Sequence, residues 1–402
     1  MSQPRVALVH DWLTGMRGGE YVLEGLTELF ETPELFTLIH VQGSVSPAIE
    51  KLPIRASFLQ KIPGIAQSYR KFLGIMPSAA ERLDVSGADL VVSSSHCVAK
   101  GVRKRPDAVH VSFVHAPMRY MWDRFDDYFG PGKASPLVRA AARFLRPRLR
   151  EWDRRVSQTD RVDALVANSS FIAEQIRAAY GRDAGVVHPF ADLSRFGAAR
   201  APEPFYLMVG AFAPYKRVDL AIEAFNRLGL PLRIVGGGQE ADALRRLAGP
   251  TIEFLGQVSN EEIASLYRRC RAFVFPGVED FGITPLEAMA SGAPVIAFAA
   301  GGALDTVTRE SGVLFKPQTV DALCEAVIAV ERLAQAGAVH GRAGQALDER
   351  AIRAQAAGFT RAEFQKRFLV ILRETWARRG KDPAALEALL APRFRSGAAT
   401  LF

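Results

Sequence analysis

Two successive series of short, nearly all-apolar segments constrain the fold of this chain more than any other feature. The segments are rich in Val, Leu, Ile and Phe, and polar or helical sequence separates each from the next. Such segments are typical of parallel strands covered on both faces of a sheet. The first series predicts strands at Val6–His10, Leu35–His40, Asp89–Ser93, Val109–His115, Ala164–Asn168 and Gly185–Pro189. The second predicts strands at Phe205–Gly210, Leu232–Gly236, Ile252–Gly256, Ala272–Pro276, Pro294–Ala299 and Val313–Lys316.

A Pro/Ala-rich stretch, Ala198–Pro204, separates the two series and predicts a linker. At 402 residues the chain is too long for one ordinary core, so an α/β protein of two doubly wound, Rossmann-like domains is expected. We predict the domains at 1–197 and 203–359, with helices over 360–402 that pack back toward the first domain. Ligands bind beyond the carboxyl ends of such strands, so two domains facing across a cleft direct attention to motifs that follow strands.

Composition argues against several classes of protein. The three cysteines stand far apart and no histidine is spaced to share a metal with them, so neither a disulfide framework nor a Cys/His metal site is expected. No signal-peptide core and no apolar run of about 20 residues is present, which predicts a cytoplasmic protein. The net charge of +8 predicts an anionic partner, and nucleic acid, anionic lipid and phosphorylated small molecules all fit that charge.

The densest chemical motif follows the fourth strand of the second series. Thr284 as an N-cap and Pro285 in the first turn predict that a helix begins there. Backbone amides around Gly282–Leu286 and the positive end of the helix form a phosphate site. Glu287, one turn inside the helix, is placed to accept from ribose hydroxyls, and Glu279 from sugar hydroxyls. Taken singly, Glu279 is equally well explained as a solvated loop acid, and Glu287 as a capping-box partner.

A basic pair, Lys216 and Arg217, follows the first strand of the second series. Breaking a sugar–phosphate bond leaves negative charge on the diphosphate, and fixed cations stabilise that charge in the transition state. The alternative is an exposed helix start with two solvated cations. Basic residues at a helix N-terminus oppose the helix dipole, which favours the functional interpretation.

Two motifs follow strands of the first series. Gly18 and Gly19 open a helix, and their lack of a side chain lets the backbone approach a ligand, although an ordinary tight turn explains them as well. His115 ends another strand, where a lone histidine is often structural. The serines of segments 93–95 and 169–170 also end strands and are predicted to be helix caps.

Together these motifs resemble the family 4 (group 1) retaining glycosyltransferases, whose fold is GT-B. The Glu-x7-Glu spacing of Glu279 and Glu287 and the segment Ser291–Ala297 carry the resemblance, which extends from His10 to about Phe368.

The resemblance implies a role for each motif. Glu287 would hold the donor ribose and Glu279 would contact the transferred sugar. Lys216 matches a lysine of the family that faces the diphosphate, and the loop of Gly18 and Gly19 would lie beneath it. The phosphates would meet the backbone amides of Gly282, Ile283 and Thr284.

One family position departs from the pattern. Relatives often have an arginine directly after the glycine that corresponds to Gly210. This chain has Ala211 at that position, and Arg217 is a candidate replacement for the arginine. Pro214–Arg217 and the His-x-Pro-Met-Arg-Tyr-x-Trp motif at His115 resemble a mannosyltransferase branch of O-antigen and exopolysaccharide assembly, in which the histidine faces the donor sugar. That branch implies GDP-mannose as donor, with UDP-hexoses second, and a lipid-linked or growing polysaccharide as acceptor.

The expected reaction is front-face displacement with retention and without a metal, because the chain has no Asp-x-Asp motif and no obvious paired nucleophile and base. Three other functions compete with it. A dinucleotide-dependent dehydrogenase is suggested by the G-x-G-x-x-A pattern of Gly236–Ala241. The acidic residue at about the distance that such a site requires is Glu253, but Glu253 starts its strand instead of ending it. A sugar-nucleotide epimerase shares the architecture but lacks the Glu-x7-Glu turn, and a binding module would not need charges on both walls of a cleft.

An arginine-rich segment between Lys133 and Arg161 predicts an amphipathic helix at an anionic membrane surface. Pro147 is expected to kink or split it. The predicted basic face consists of Arg139, Arg143, Arg146, Arg150 and Arg154, and the predicted apolar face of Val138, Ala142, Leu145, Leu149, Trp152 and Val156. In the alternative, the apolar face packs on its own domain and the arginines are solvated. We expect peripheral attachment at the inner face of the plasma membrane and no nucleic-acid partner.

Overall fold

The structure is a computed structural model that describes residues 4–130, 132–238, 240–340 and 347–395, with backbone alone for 334–340. The chain forms two compact units: one comprises the residues up to His188 together with those from Phe364 onward, and the other is Pro189–Glu363. The boundary therefore lies upstream of the stretch Ala198–Pro204. That stretch is bound to the second unit, because Arg200 donates to the carbonyl of Cys270 at 2.6 Å.

The first unit is built on a seven-stranded parallel sheet of order β3-β2-β1-β4-β5-β6-β7. Its strands are β1 Val6–His10, β2 Glu34–Thr37, β3 Ile54–Ala56, β4 Leu90–Ser95, β5 Val109–Val114, β6 Ala164–Ala167 and β7 Gly185–Val186. Its helices before the boundary are α1 Gly18–Thr27, α2 Pro47–Glu50, α3 Ile65–Ser68, α4 Met76–Glu81, α5 Phe125–Phe129, α6 Pro136–Val156 and α7 Ser170–Tyr180.

The second unit is built on a six-stranded parallel sheet of order β10-β9-β8-β11-β12-β13. Its strands are β8 Tyr206–Val209, β9 Leu232–Val235, β10 Ile252–Gly256, β11 Phe273–Phe275, β12 Val295–Phe298 and β13 Gly312–Phe315. The helices of this unit are α8 Val218–Leu228, α9 Ala241–Leu247, α10 Asn260–Arg269, α11 Ile283–Ala290, α12 Ala303–Thr306, α13 Val320–His340 and α14 Glu349–Ala357. Helix α15 Arg361–Arg378 begins in this unit and continues into the first, to which α16 Pro383–Leu389 belongs.

Burial on both faces explains the continuous apolar runs of the second sheet. In β11, Phe273 and Phe275 enter one hydrophobic cluster and Val274 enters the cluster on the opposite face. In β12, Val295 and Ile296 divide in the same way. Because neighbouring residues of a strand point to opposite faces, a strand covered on both sides needs apolar residues at successive positions. The predicted α/β class with two doubly wound parallel sheets is thereby confirmed.

Strand β3 was not predicted from the sequence. This edge strand has only three residues, of which Arg55 and Ala56 are exposed, so it has no apolar run to mark it. It pairs in parallel with β2 and extends the first sheet by one strand.

The helices from Phe364 onward pack on the first unit. The Phe364 ring contacts that of Phe113 at a centroid distance of 5.7 Å, and the Gln365 side-chain amide donates to the Gly25 carbonyl at 2.9 Å. Arg379 forms an ion pair with Asp163. These contacts join the end of the chain to α1, β5 and the start of β6.

The structure places most of the apolar face that was predicted for α6 inside its own unit. The helix runs unbroken from Pro136 to Val156 with Pro147 inside it, so the proline does not split it. Trp152 is buried and its indole N–H donates to Glu81 at 2.8 Å. Most of the predicted apolar face packs into the core of the unit, namely Ala142, Leu149, Trp152 and Val156, with Leu145 packed against it. Among the described residues no helix is long and apolar enough to cross a bilayer.

Each sheet reverses its strand order at one place, and ligands bind at such switch points in open α/β sheets. In the first sheet the reversal lies between β1 and β4, and in the second between β8 and β11. The loops that leave these four strands at their carboxyl ends carry several of the residues singled out from the sequence. The topology therefore indicates one candidate half-site on each unit.

Candidate active site

Lys216 and Glu279 form the centre of the second unit's half-site. Lys216 ends a short 3-10 turn after β8, Glu279 lies on the loop after β11, and their side chains form a direct ion pair. Both groups are reachable from solvent, with 16% and 19% of the side chains exposed. The two loops approach closely because Gly277 has no side chain: a Cβ there would lie 2.5 Å from the Tyr215 carbonyl oxygen. The ammonium and the carboxylate thus neutralise each other.

A pair of glycines after β12, Gly301 and Gly302, holds the Glu279 loop in place. This pair was not predicted from the sequence. The amide of Gly302, just after β12, donates to the Glu279 carbonyl at 2.9 Å. A Cβ at Gly302 would collide with the backbone of Phe281, and Gly301 has a left-handed φ of 66°. The Gly301–Gly302 dipeptide directly after a predicted strand was the available signal, because such pairs permit close backbone approach.

Helix α11 begins two residues earlier than predicted. Its N-cap is Gly282, which has φ 94°, so Thr284 and Pro285 lie inside the first turn and Thr284 is not the N-cap. The first residues of a helix have amides without intrahelical acceptors. Since proline has no N–H, the first turn presents the amides of Ile283 and Thr284. The predicted phosphate site keeps its amide donors at the positive end of the helix.

Glu287 lies one turn inside α11 in a largely buried position. The hydroxyl of Tyr267, from α10, donates to its carboxylate at 3.2 Å. Burial raises the pKa of Glu287 to about 7, although the hydrogen bond from Tyr267 and the charge of Arg195 act in the opposite direction. The carboxyl group therefore changes protonation near neutral pH, and donors such as ribose hydroxyls would stabilise its ionised form.

Arg217 follows Lys216 with a left-handed backbone, φ 52°, and its side chain is already engaged. The guanidinium binds the carboxylate of Asp219 at 3.1 Å and donates to the side-chain oxygen of Gln318 at 3.3 Å. Gln318 in turn donates to the Pro276 carbonyl at 2.7 Å. Arg217 thus ties the start of α8 to the loops after β11 and β13, whereas the ammonium of Lys216 pairs with Glu279.

The glycines after β9 have a packing role that explains the dinucleotide-like motif. A Cβ at Gly236 would collide with the Gly210 carbonyl, and one at Gly238 would lie 2.7 Å from the Phe212 carbonyl oxygen. These glycines let the loop after β9 pack on the loop that leads to Lys216. Gln239, within the same motif, lies outside the described residues.

The first unit's half-site brings together Gly19 and His115. Gly18 and Gly19 are the first two residues of α1, after an N-cap at Arg17. A Cβ at Gly19 would lie 3.7 Å from His115 Nε2, so the glycine leaves the start of the helix beside the imidazole. Asn168, at the end of β6, donates to the His115 carbonyl at 3.0 Å and positions the backbone there.

Ser94, at the end of β4, lies between two imidazoles. It was predicted to cap a helix, but it does not. Its hydroxyl lies 2.8 Å from His115 Nε2 and 3.1 Å from His10 Nδ1. One hydroxyl donates a single proton, so it can donate to only one of the two rings. Glu20 lies 3.6 Å from His10 Nε2 and favours a proton on that nitrogen. His10 Nδ1 is then the acceptor, and His115 donates through Nε2, which leaves its Nδ1 basic.

The same cluster keeps His115 uncharged. Burial, reinforced by neighbouring His96 and His10, lowers the pKa of His115 well below its usual value. A neutral imidazole with a basic Nδ1 can accept a hydrogen bond from a hydroxyl group. Of the predicted caps in this unit, only Ser169 is one: its hydroxyl accepts from the Ile172 amide at 3.1 Å.

Asp11 anchors the loop that follows β4 and was also missed. Its buried carboxylate accepts from the amides of four successive residues, 96–99, at 2.6–2.9 Å. Burial alone would raise the pKa of Asp11, but His96, His10 and these amides outweigh burial and hold it below its usual value. The ionised carboxylate therefore fixes the loop beside His115. An aspartate directly after the first strand was the signal in the sequence.

The structure thus groups the candidate residues by unit. Lys216, Glu279, Glu287 and the start of α11 converge on the second unit, while Gly18, Gly19 and His115 converge on the first. Within the described part of the chain, no group of three or more His, Cys, Asp or Glu side chains is arranged to hold a metal ion.

Two family models for glycosyltransferases match successive parts of this chain. A family model described as Glycosyl transferases group 1 matches residues 191–345, and one described as Glycosyltransferase Family 4 matches residues 36–195. The O-antigen chain mannosyltransferase C of Escherichia coli is 32% identical over 186 residues, 41% of this chain and 50% of the relative. The match thus spans about half the length of that curated relative.

Solved structures resemble the whole fold at low sequence identity. The lipopolysaccharide outer core galactosyltransferase WaaB, in its apo form, superposes with a TM-score of 0.65 and 18% identity, covering 92% of this chain and 99% of its own. HepE of Anabaena, in complex with UDP, superposes with a TM-score of 0.66 and 14% identity, covering 92% and 100%. At these identities the likeness establishes the architecture of the chain.

Proposed function

The chain belongs to the group 1 (family 4) glycosyltransferases and has their GT-B fold, and from that membership we propose that it transfers a hexosyl group from a nucleotide-sugar donor with retention of configuration. The observation that carries the proposal is the Lys216–Glu279 ion pair on the loop that leads into α11, a helix whose first turn presents free amides and carries Glu287 one turn further in. A cation, two carboxylates and unpaired helix amides in one place match the groups of a nucleotide sugar.

Each group of the second unit has a proposed role. Diphosphate oxygens compete with Glu279 for the ammonium of Lys216 and receive the amides of Gly282–Thr284. The freed Glu279 carboxylate accepts from hydroxyls of the transferred sugar. Glu287 accepts from the ribose hydroxyls. As the sugar–phosphate bond breaks, charge builds on the diphosphate, where Lys216 and the amides stabilise it more than in the ground state.

The first unit is proposed to contribute His115 and the Gly18–Gly19 turn. Nδ1 of the neutral His115 accepts a hydrogen bond from a sugar hydroxyl, and the amides at the start of α1 donate hydrogen bonds to the diphosphate. No side chain of this protein is assigned as a covalent nucleophile, so we propose front-face displacement. The acceptor oxygen bonds to the anomeric carbon on the face that the diphosphate leaves, and the acceptor's hydroxyl proton passes to the departing diphosphate. A bound metal is not required in this scheme.

For the donor we propose GDP-mannose, because the similarity to the O-antigen chain mannosyltransferase and the motifs at His115 and Pro214–Arg217 agree. A UDP-hexose is the second candidate, favoured by the likeness to the UDP complex of HepE. We propose a lipid-linked saccharide or growing polysaccharide as acceptor, used at the inner face of the plasma membrane in lipopolysaccharide or related polysaccharide biosynthesis.

Release of nucleoside diphosphate from a donor panel tests the proposal. The protein is incubated with GDP-mannose, UDP-glucose and UDP-galactose, with and without a chelator. GDP-mannose should be consumed fastest, chelation should leave the rate unchanged, and NMR of the early sugar product should show the donor's anomeric configuration. Lys216→Ala should abolish most release, whereas the exposed control Lys51→Ala should not. Release from no donor would refute the proposal, and an inverted product would refute retention.

A further inference from the structure

The first half of α6 exposes large apolar side chains that the core does not use. Leu137 is 80% exposed, Phe144 66% and Val138 49%. Leu137 and Phe144 are seven residues apart and therefore lie on the same side of the helix, two turns from each other. Single exposed apolar residues are common in proteins, but several on one helix mark an interaction surface.

Cations surround these apolar residues. Arg143 and Arg148 are exposed and Arg139 is half-buried, and the guanidinium of Arg148 lies over the Phe144 ring at 4.3 Å. Within the described residues, the side chains of Arg139 and Arg143 have no hydrogen-bond or ion-pair partner. The helix contains no acidic residue before Glu151. The first half of α6 is therefore both apolar and positively charged.

The other four arginines of the helix have partners within the unit and do not belong to this surface. Arg150 lies over the Trp122 ring at 4.2 Å, and Arg155 pairs with Glu81 at 4.0 Å. Arg146 donates to the carbonyls of Met121 and Trp122 at 2.9 and 3.0 Å, and Arg154 donates to that of Ala179 at 3.2 Å. The α6 docking surface consists of Leu137, Val138, Arg139, Arg143, Phe144 and Arg148.

We propose that the α6 docking surface binds an anionic lipid bilayer, with Leu137 and Phe144 inserted between headgroups and the arginines bound to lipid phosphates. A bilayer satisfies the apolar and the cationic groups together. A nucleic acid would leave the leucine and phenylalanine without a use. A second copy of this chain would bring the same cations together across a two-fold interface. Membrane docking rests on the proposed function only in that a lipid-linked acceptor would lie in the bilayer.

Helix α6 also connects this surface to the candidate site. Besides the two bonds from Arg146, Asp153 accepts from the indole N–H of Trp122 at 2.8 Å and from the Tyr180 hydroxyl at 2.8 Å. The inner side of the helix thus holds the segment that follows His115. Docking through the outer side would give the first unit's half-site a fixed orientation toward the lipid surface.

Vesicle co-sedimentation of the full chain tests the proposal. The probes are vesicles of phosphatidylcholine mixed with phosphatidylglycerol and vesicles of phosphatidylcholine alone. Two arginines near an anionic surface strengthen binding by about thirtyfold together, so Arg143→Glu/Arg148→Glu should weaken binding by at least that factor. The matched control, Arg332→Glu/Arg350→Glu, changes the net charge equally at exposed sites elsewhere and should retain most of the binding. Leu137→Gln/Phe144→Gln should lose about tenfold or more, unlike the exposed control Val370→Gln.

The outcomes separate docking from catalysis. The proposal is supported if the protein binds only vesicles with phosphatidylglycerol, salt weakens binding, and the α6 variants alone lose it. It is overturned if the protein binds neither kind of vesicle or both equally, or if the α6 variants bind like wild type. If wild type self-associates, the α6 variants do not, and neither binds vesicles, the occupant of the surface is a second copy of the chain. That result would also overturn the proposal. Nucleoside diphosphate release should stay unchanged in the α6 variants, so a failure of docking leaves the proposed transfer reaction standing.

Discussion

The Glu287→Gln substitution should stabilise the protein at alkaline pH while weakening its binding of nucleotide. Burial raises the pKa of Glu287 from 4.5 to about 7. One pKa unit corresponds to about 1.4 kcal/mol, so ionising this carboxyl in the folded protein costs about 3 kcal/mol more than in the unfolded chain. Glutamine keeps the shape and can still accept from the Tyr267 hydroxyl, but it never ionises.

The sign of the effect follows from the raised pKa. The neutral carboxyl contributes its full stability below about pH 4.5, and this contribution is lost as pH rises through about 7. Wild type and Glu287→Gln should therefore be nearly equal in stability at low pH. Above pH 7 the variant should be more stable by about 3 kcal/mol.

Denaturant titration followed by two probes measures this difference. All four tryptophans, at positions 12, 122, 152 and 376, lie in the first unit. Tryptophan fluorescence therefore reports the first unit, whereas far-UV circular dichroism includes the second unit, which contains Glu287. The circular-dichroism transition of the variant should move to higher denaturant at pH 8 and should coincide with that of wild type near pH 4.5.

The binding half of the prediction has its own measurement. If ribose hydroxyls donate to ionised Glu287, wild-type affinity for a nucleoside diphosphate should fall as pH decreases below about 7 and binding should release a proton. Calorimetry in buffers of different ionisation enthalpy detects that proton, and the same series on Glu287→Gln corrects for titration of the phosphate. A variant no more stable at pH 8, or one with unchanged nucleotide affinity, would refute the reasoning.

Four further substitutions test other parts of the site. Lys216→Ala should lower kcat/KM by a factor that corresponds to about 3 kcal/mol of lost transition-state stabilisation. Arg217→Ala should cost less than about 1.4 kcal/mol, because its guanidinium is bound to Asp219. Equal losses in steady-state kinetics would assign both cations to the diphosphate. Glu279→Gln should reduce kcat with little change in calorimetric affinity for the nucleoside diphosphate, and the reverse pattern would remove it from the sugar site. Ser94→Ala should lower kcat about tenfold or more at constant donor affinity, because His115 loses the partner that sets its tautomer. Wild-type turnover in Ser94→Ala would show that the hydroxyl has no such role.

The main features of both sheets could be predicted from the sequence because they depend on local composition. A parallel strand covered on both faces must be apolar at successive positions, and β11 and β12 show that requirement directly. The positions of Lys216, Glu279 and Glu287 after strands were equally visible, because ligand sites of such folds lie at the carboxyl ends of strands. Short β3 had no such signal, since its side chains are mostly exposed.

The partners of these residues depended on the tertiary structure. Lys216 meets Glu279, 63 positions away, and Ser94 meets both His10 and His115, because parallel strands far apart in sequence end side by side. Periodicity identified two faces of α6, but it did not show which of them the core would cover. Trp152 enters the core and Phe144 remains outside, because the burial of a helix face is decided by what packs against it. Sequence alone thus determined the strands and the chemical groups of this protein, while the tertiary structure decided which groups meet and which surface stays exposed.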